Sequence, residues 1–206
     1  MPYDKRALYD NIRDKRASFG MDASTPADVS AIIEREGIEV QYCTFESRSI
    51  GAILYKDTAS GILVNAAKSE PDHRFDIAHE LIHFWFHAKR AECAFPLVPR
   101  NKEEEWQANE GAAELLLPYR DFVPRYVRAV CEAERDGAEP ETVYALLAAY
   151  YRVNETVVNY RIRNLESEIL QYRSGTAIEQ LTITRANVRP LCDRRPDIYR
   201  FVSETA

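Results

Sequence analysis

Three histidines spaced four residues apart, His79, His83 and His87, commit the run RFDIAHELIHFWFHAKR (residues 74–90) to a helix. Positions i and i+4 share one helical face, about 6 Å apart along the axis. The chain has four histidines in 206 residues, and all of them lie between His73 and His87. Phe75, Ala78, Ile82 and Trp85 add an adjoining apolar stripe, so this helix is expected to be buried.

Within it, His79-Glu80-Leu81-Ile82-His83 fits H-E-x-x-H. Two imidazoles one turn apart can converge on one metal ion. The glutamate beside the first can take a proton from the water that such an ion activates. His79 and His83 are therefore expected zinc ligands and Glu80 the expected general base. The competing reading is a buried helix whose histidines bond to backbone carbonyls. His87 lies about 12 Å of helical rise beyond His79, too far to share an ion with it. No Gly or Pro falls between His83 and His87 to break the helix. His87 is read as a helix-end residue or one that supports a ligand, and His73, in the first turn, as facing solvent.

A catalytic zinc site needs a third protein ligand. On NKEEEWQANEGAAELLLP (101–118) a helical wheel puts Glu105, Ala108, Asn109, Ala112 and Leu116 on one face. Glu103, Glu110 and Glu114 point the other way. Glu105 is then the one carboxylate on a small, apolar face, where burying it unpaired is costly and a metal removes the cost. The alanines permit close approach to the histidine helix. Asn109, one turn on, is placed to accept a hydrogen bond from a ligand histidine. An acidic, solvated helix start, favoured by the helix dipole, accounts for Glu103 and Glu104 better than for Glu105.

The rest of the chain reads as α+β: a small antiparallel sheet packed on a helical core, with a helical C-terminal part. Helices are expected over 3–18, in STPADVSAIIEREG (capped by Ser24 or Thr25, stopped by Gly37), and over 71–90, 102–117, 119–135, 140–151 and 155–170. IEVQYCTF, GAILYKD and SGILVNAA read as strands, with SRSIG and KDTASG as hairpin connections. LTITRA (181–186) is a possible short strand. Two parts are expected, 1–135 and 136–206. No apolar run approaches a membrane span, and the N-terminus lacks a signal-peptide core, which together point to the cytoplasm. The four cysteines form no C-x-x-C pair and read as reduced thiols. A net charge of −6 argues against a generic nucleic-acid binder. Residues 1–150 hold 18 basic and 26 acidic side chains, and residues 151–206 hold 9 basic and 7 acidic.

RFDIAHELIHFWFH followed by E-x-x-A-N-x-x-A-A-E-L-L-L-P resembles the ImmA/IrrE family of metallopeptidases, with ILVNAAKSEPDHRF similar to the family's lead-in. The likeness covers roughly residues 5–170. It implies a zincin-like core with a gluzincin-like site in a cytosolic bacterial protein: His79, His83 and Glu105 on zinc, Glu80 as base. It also implies regulated proteolysis, typically of a helix-turn-helix repressor of a mobile element or stress regulon. The chain departs from the pattern twice, with Ile82 where the family often has Gly and Gly111 where an aromatic is usual before the paired alanines.

Other functions compete. Tyr119 and the histidines are candidates for stabilising an oxyanion. SGILVNAA is either an edge strand that pairs with extended substrate or a central strand. ETVYALLAAYYRVNETVVNYRIRNLES (141–167) has a helix-turn-helix outline, with Asn154 as a possible cap and Arg152, Arg161 and Arg163 available for phosphates. That outline would suit a transcription regulator in which the metal is structural. A toxin–antitoxin-type binding partner on the same fold is a further alternative, though a binding module has no need of Glu80.

Overall fold

The computed structural model describes residues 4–44, 52–56, 59–87 and 102–183, with the backbone alone at 52–56, 59 and 140. The architecture is α+β and mostly helical, with one three-stranded sheet. The chain divides into two units, Met1–Leu116 and Leu117–Ala206.

In the first unit, α1 (Lys5–Ser18) starts where the Asp4 carboxylate accepts from the Ala7 N–H at 3.0 Å. That bond satisfies one of the orphan donors of the first turn. α2 (Val29–Glu36) is capped by Asp28 and not by Ser24 or Thr25. Those two instead donate to the Asp22 carboxylate. Their hydroxyl and backbone donors hold it at about 2, below its ordinary value. Gly37, at φ 67, closes α2 in the left-handed conformation that a side chain would strain.

The strands are β1 (Ile38–Cys43), β2 (Ala52–Lys56) and β3 (Ala59–Asn65), in the order β1-β3-β2. β2 and β3 form the expected antiparallel hairpin, with Ile53 opposite Ile62. β1 runs parallel to β3, with Val40 opposite Ile62, so the sheet is mixed and not antiparallel throughout. A two-residue turn can only join antiparallel neighbours. The connection from β1 to β2 is eight residues long, and β3 fills the position between the two strands. The SRSIG part of that connection lies outside the described residues. SGILVNAA is thus the central strand, and the edge-strand reading falls. Ile62 and Val64 are fully buried.

α3 (Glu70–Phe86) packs against β3, β2, α2 and, most extensively, α4 (Lys102–Leu116). Every residue from Phe75 to Leu81, and on through His83, is buried. Its expected extension over 88–90 lies outside the described residues. Two polar ties hold it: Trp85 Nε1 donates to Glu36 at 2.8 Å, and Arg74 donates to the Ala27 carbonyl at 2.9 Å. The far face of α4 is covered by α1. Glu110 and Glu114, which point away from the Glu105 face as expected, are 1% and 4% exposed. The Tyr9 hydroxyl donates to Glu110, and Arg16 donates to the Leu115 carbonyl. The docking of α1 that covers both glutamates is a tertiary event, invisible to a helical wheel.

The second unit holds α5 (Tyr119–Asp136), α6 (Pro140–Tyr151), α7 (Glu155–Asn164) and α8 (Glu166–Arg173), then a short 3₁₀ turn at Ile178–Gln180. The single helix expected over 155–170 is two helices, interrupted at Leu165 (φ −107, ψ 14). Asn154 caps α7 as expected, accepting from Val157 N–H at 2.9 Å. Residues 181–183 are not a strand, and the remainder of LTITRA lies outside the described residues. Among the described residues no helix is long and apolar enough to cross a membrane.

Candidate metal centre

Two helices supply the site. α3 is buried on all sides over its middle turns, which confines the side chains of His79 and His83. The small residues of α4, Ala108 and Ala112, are fully buried and let it lie close against α3. Gly111 marks the tightest approach. A Cβ there would sit 3.1 Å from Ile82 Cγ1 and Cγ2 and 3.2 Å from Cδ1. The two departures from the family pattern are therefore one feature: the bulk at this crossing is carried by α3 and not by α4.

That approach brings His79, His83 and Glu105 together. Their ligand atoms all lie within 4.8 Å of one another. The shortest edges are 3.1 Å between the two Nε2 atoms, 3.6 Å from His79 Nε2 to Glu105 Oε2, and 3.5 Å from His83 Nε2 to Glu105 Oε1. Zinc bonds of about 2.0–2.1 Å in a tetrahedral shell require edges of about 3.3–3.4 Å. The donor set fits a zinc ion in type, number and spacing.

The supporting contacts agree. Asn109 Oδ1 lies 3.1 Å from His79 Nδ1, the bond expected from the helical wheel. An amide oxygen only accepts, so Nδ1 carries the proton and Nε2 keeps its lone pair for a metal. Burial alone would raise the Glu105 carboxyl, but when His79 and His83 are protonated their hydrogen bonding and charge hold it well below the usual carboxylate range. The pocket thus favours an ionised Glu105 carboxylate. Glu105 remains 39% exposed while both imidazoles are buried, which leaves the carboxylate side open to solvent. Glu80 is 1% exposed.

His87 caps the C-terminal end of α3. Its Nδ1 is 2.8 Å from His83 Nδ1 and its Nε2 is 2.8 Å from Gln107 Oε1. The helical wheel missed Gln107, although its position one turn from Glu103 was available as a signal. His73 does not face solvent. It is half-buried, its Nε2–H donates to the Asn65 carbonyl at 3.0 Å, and its ring meets Tyr42 at 5.2 Å. The tight turn after β3 presses the first turn of α3 onto the strand end. Lys68, from that turn, donates to Asp76 at 2.7 Å. Burial still keeps the Asp76 carboxyl above its ordinary value, against that bond.

Tyr119 opens α5 in the second unit and is buried there. Arg161 is fully buried, its Nε donating to the Leu117 carbonyl at 2.9 Å. Residues 157–162 of α7 are all buried. A recognition helix presents a free face to a groove, and over residues 157–162 α7 presents none, while Arg152 is exposed and Arg163 half-buried.

A family model described as "Peptidase_M78: IrrE N-terminal-like domain" matches residues 33–163, more than half of the chain. None of the curated proteins matches the chain significantly. Among solved structures, a Mycobacterium tuberculosis transcriptional regulator is similar, at 18% identity and a TM-score of 0.53. The match covers 80% of this chain and 49% of that one. At this identity the likeness is one of fold, and this chain spans about half the length of that protein.

Proposed function

The chain belongs to the Peptidase_M78 family of IrrE N-terminal-like domains, and from that premise we propose that it is a zinc-dependent endopeptidase. The observation that carries the reading is the convergence of His79, His83 and Glu105 at edges near those of a tetrahedral zinc shell. When bound, zinc supplies a Lewis acid that polarises the scissile carbonyl and acidifies water at neutral pH. The chain's own groups do the remainder. His79 and His83 present Nε2 lone pairs, and Asn109 Oδ1 keeps the His79 proton on the far nitrogen. A Glu80 carboxylate oxygen takes the proton of the attacking water and delivers it to the leaving amine nitrogen.

The substrate class is a DNA-binding repressor. The family resemblance supports this, and the regulatory title of the structurally similar protein is consistent with it. Cleavage of a repressor fits a cytoplasmic protein that regulates transcription without touching DNA. The alternative of direct DNA binding is disfavoured by the burial of α7 and Arg161.

The first experiment is metal analysis by mass spectrometry on protein purified without added metal, with Glu105→Ala alongside. About one zinc per chain, lost or weakened in the variant, supports the site. A parent protein that carries no metal and takes up none on zinc addition removes the peptidase reading. A cognate repressor cleaved equally fast by Glu80→Gln and by the parent removes the general-base role.

A further inference from the structure

His87 is too far along α3 to share an ion with His79, yet it is held at both ring nitrogens. We propose that His87, polarised by Gln107, is a positioning residue that locks His83 in the tautomer able to bind metal. The inference rests on the zinc reading above and deepens it.

The direction of every proton follows from the acceptors. Gln107 Nε2 donates to Glu103 Oε1 at 3.4 Å, so the amide turns its oxygen towards His87. That oxygen, 2.8 Å from His87 Nε2, only accepts, and His87 Nε2 therefore carries hydrogen. A neutral imidazole has one N–H, so His87 Nδ1 holds a lone pair. It lies 2.8 Å from His83 Nδ1, which must donate. The one proton of neutral His83 is then on Nδ1. Its Nε2 is left as a lone pair at the point where His79 Nε2 and Glu105 Oε1 converge.

Ligand histidines usually donate to a carboxylate or carbonyl, groups that can only accept. Here the acceptor is another imidazole, which can face either way. Without Gln107 the His83–His87 bond could run in reverse, with His83 protonated on Nε2 and unable to ligate. Gln107 removes that ambiguity, and the chain of bonds ends on the Glu103 carboxylate. The arrangement uses two i, i+4 pairs on α4. Glu105 and Asn109 serve the site directly, and Glu103 and Gln107 serve it through His87.

The test combines two readouts on His87→Ala, His87→Asn and Gln107→Leu. The first is the His83 tautomer in metal-free protein, read by long-range proton–nitrogen NMR above the imidazole titration range. The second is zinc affinity by chelator competition, with thermal unfolding of the metal-free forms as the folding control. The parent is expected to show His83 protonated on Nδ1. His87→Asn puts an amide oxygen where the imidazole Nδ1 stood and should preserve both the tautomer and the affinity. His87→Ala should shift His83 towards Nε2–H and weaken zinc about 10–100-fold. Gln107→Leu should move both in the same direction and provides the test if His87→Ala does not fold. A metal-free parent with His83 protonated on Nε2, or an alanine variant that binds zinc as tightly as the parent, overturns the positioning role while leaving the zinc site standing. A parent that takes up no zinc at all overturns the peptidase reading and this inference with it.

Discussion

α3 and α7 are both helices with polar residues in their buried stretches, and the two treat those residues in opposite ways. In α7, Arg161 is fully buried and its Nε ends on the Leu117 carbonyl. The polar atom is used up in holding backbone. In α3, His79 and His83 use one ring nitrogen for support and turn the other to a common point shared with Glu105. A buried polar group costs free energy unless it is bonded. Where several are bonded on one side and turn their other side to a common point, the arrangement can hold a metal ion.

The largest effect that can sharpen this contrast is catalytic. Glu80→Gln should lower turnover of a cognate substrate by about 10²–10⁴-fold while zinc content stays at the parent level. Loss of both together would make Glu80 a structural residue like Arg161. Next, Arg161→Ala should cost about 1–3 kcal/mol of stability by removing the donor to the Leu117 carbonyl, measured by chemical unfolding, and should leave zinc affinity unchanged. A zinc-binding defect there would erase the distinction between the helices.

The acid response is a third test. The Glu105 carboxyl sits below its ordinary range, so it remains ionised while imidazoles protonate on the way down from neutral pH. Zinc release on acidification should therefore take up protons at the two imidazoles and not at the carboxylate, approaching two per ion and not three. In the metal-free protein the depressed carboxyl contributes stability that is fully present above the unfolded value of about 4.3. That contribution is lost as pH falls through the lower folded value. Titration of zinc affinity against pH gives the proton count, and a slope of three at pH values above the ordinary carboxylate range would show Glu105 to be held above that range and not below it.

The smallest effect concerns the crossing of α3 and α4. Gly111→Ala gains about 1 kcal/mol in helix propensity and loses roughly 1–3 kcal/mol to overpacking against Ile82. A net loss of about 1 kcal/mol is expected in thermal unfolding, with Ile82→Ala in the same chain relieving it. An alanine variant as stable as the parent would mean that the two helices part without cost.

What could be read from the residues alone was what repeats along one helix. The spacing of His79 and His83, the face shared by Glu105 and Asn109, and the Asn154 cap are local, and the structure brings each to its expected place. What depended on one element covering another was hidden. That Glu110 and Glu114, turned away from the Glu105 face, are buried shows only once α1 is packed on α4, and His73 looks exposed until the turn after β3 presses it onto Asn65. The sheet order was hidden for a related reason: pairing partners in a sheet are chosen by connection length and packing, and period-two alternation carries neither. The polarity of the His83–His87 bond was out of reach because it is set from Glu103 and Gln107, on the next helix.

The contact between Ile82 and Gly111 also ties the two positions into one unit. With a Cβ at Gly111 only 3.1 Å from the Ile82 side chain, volume added on α4 must be matched by volume removed from α3, so the pair and not either residue sets how closely the two helices lie.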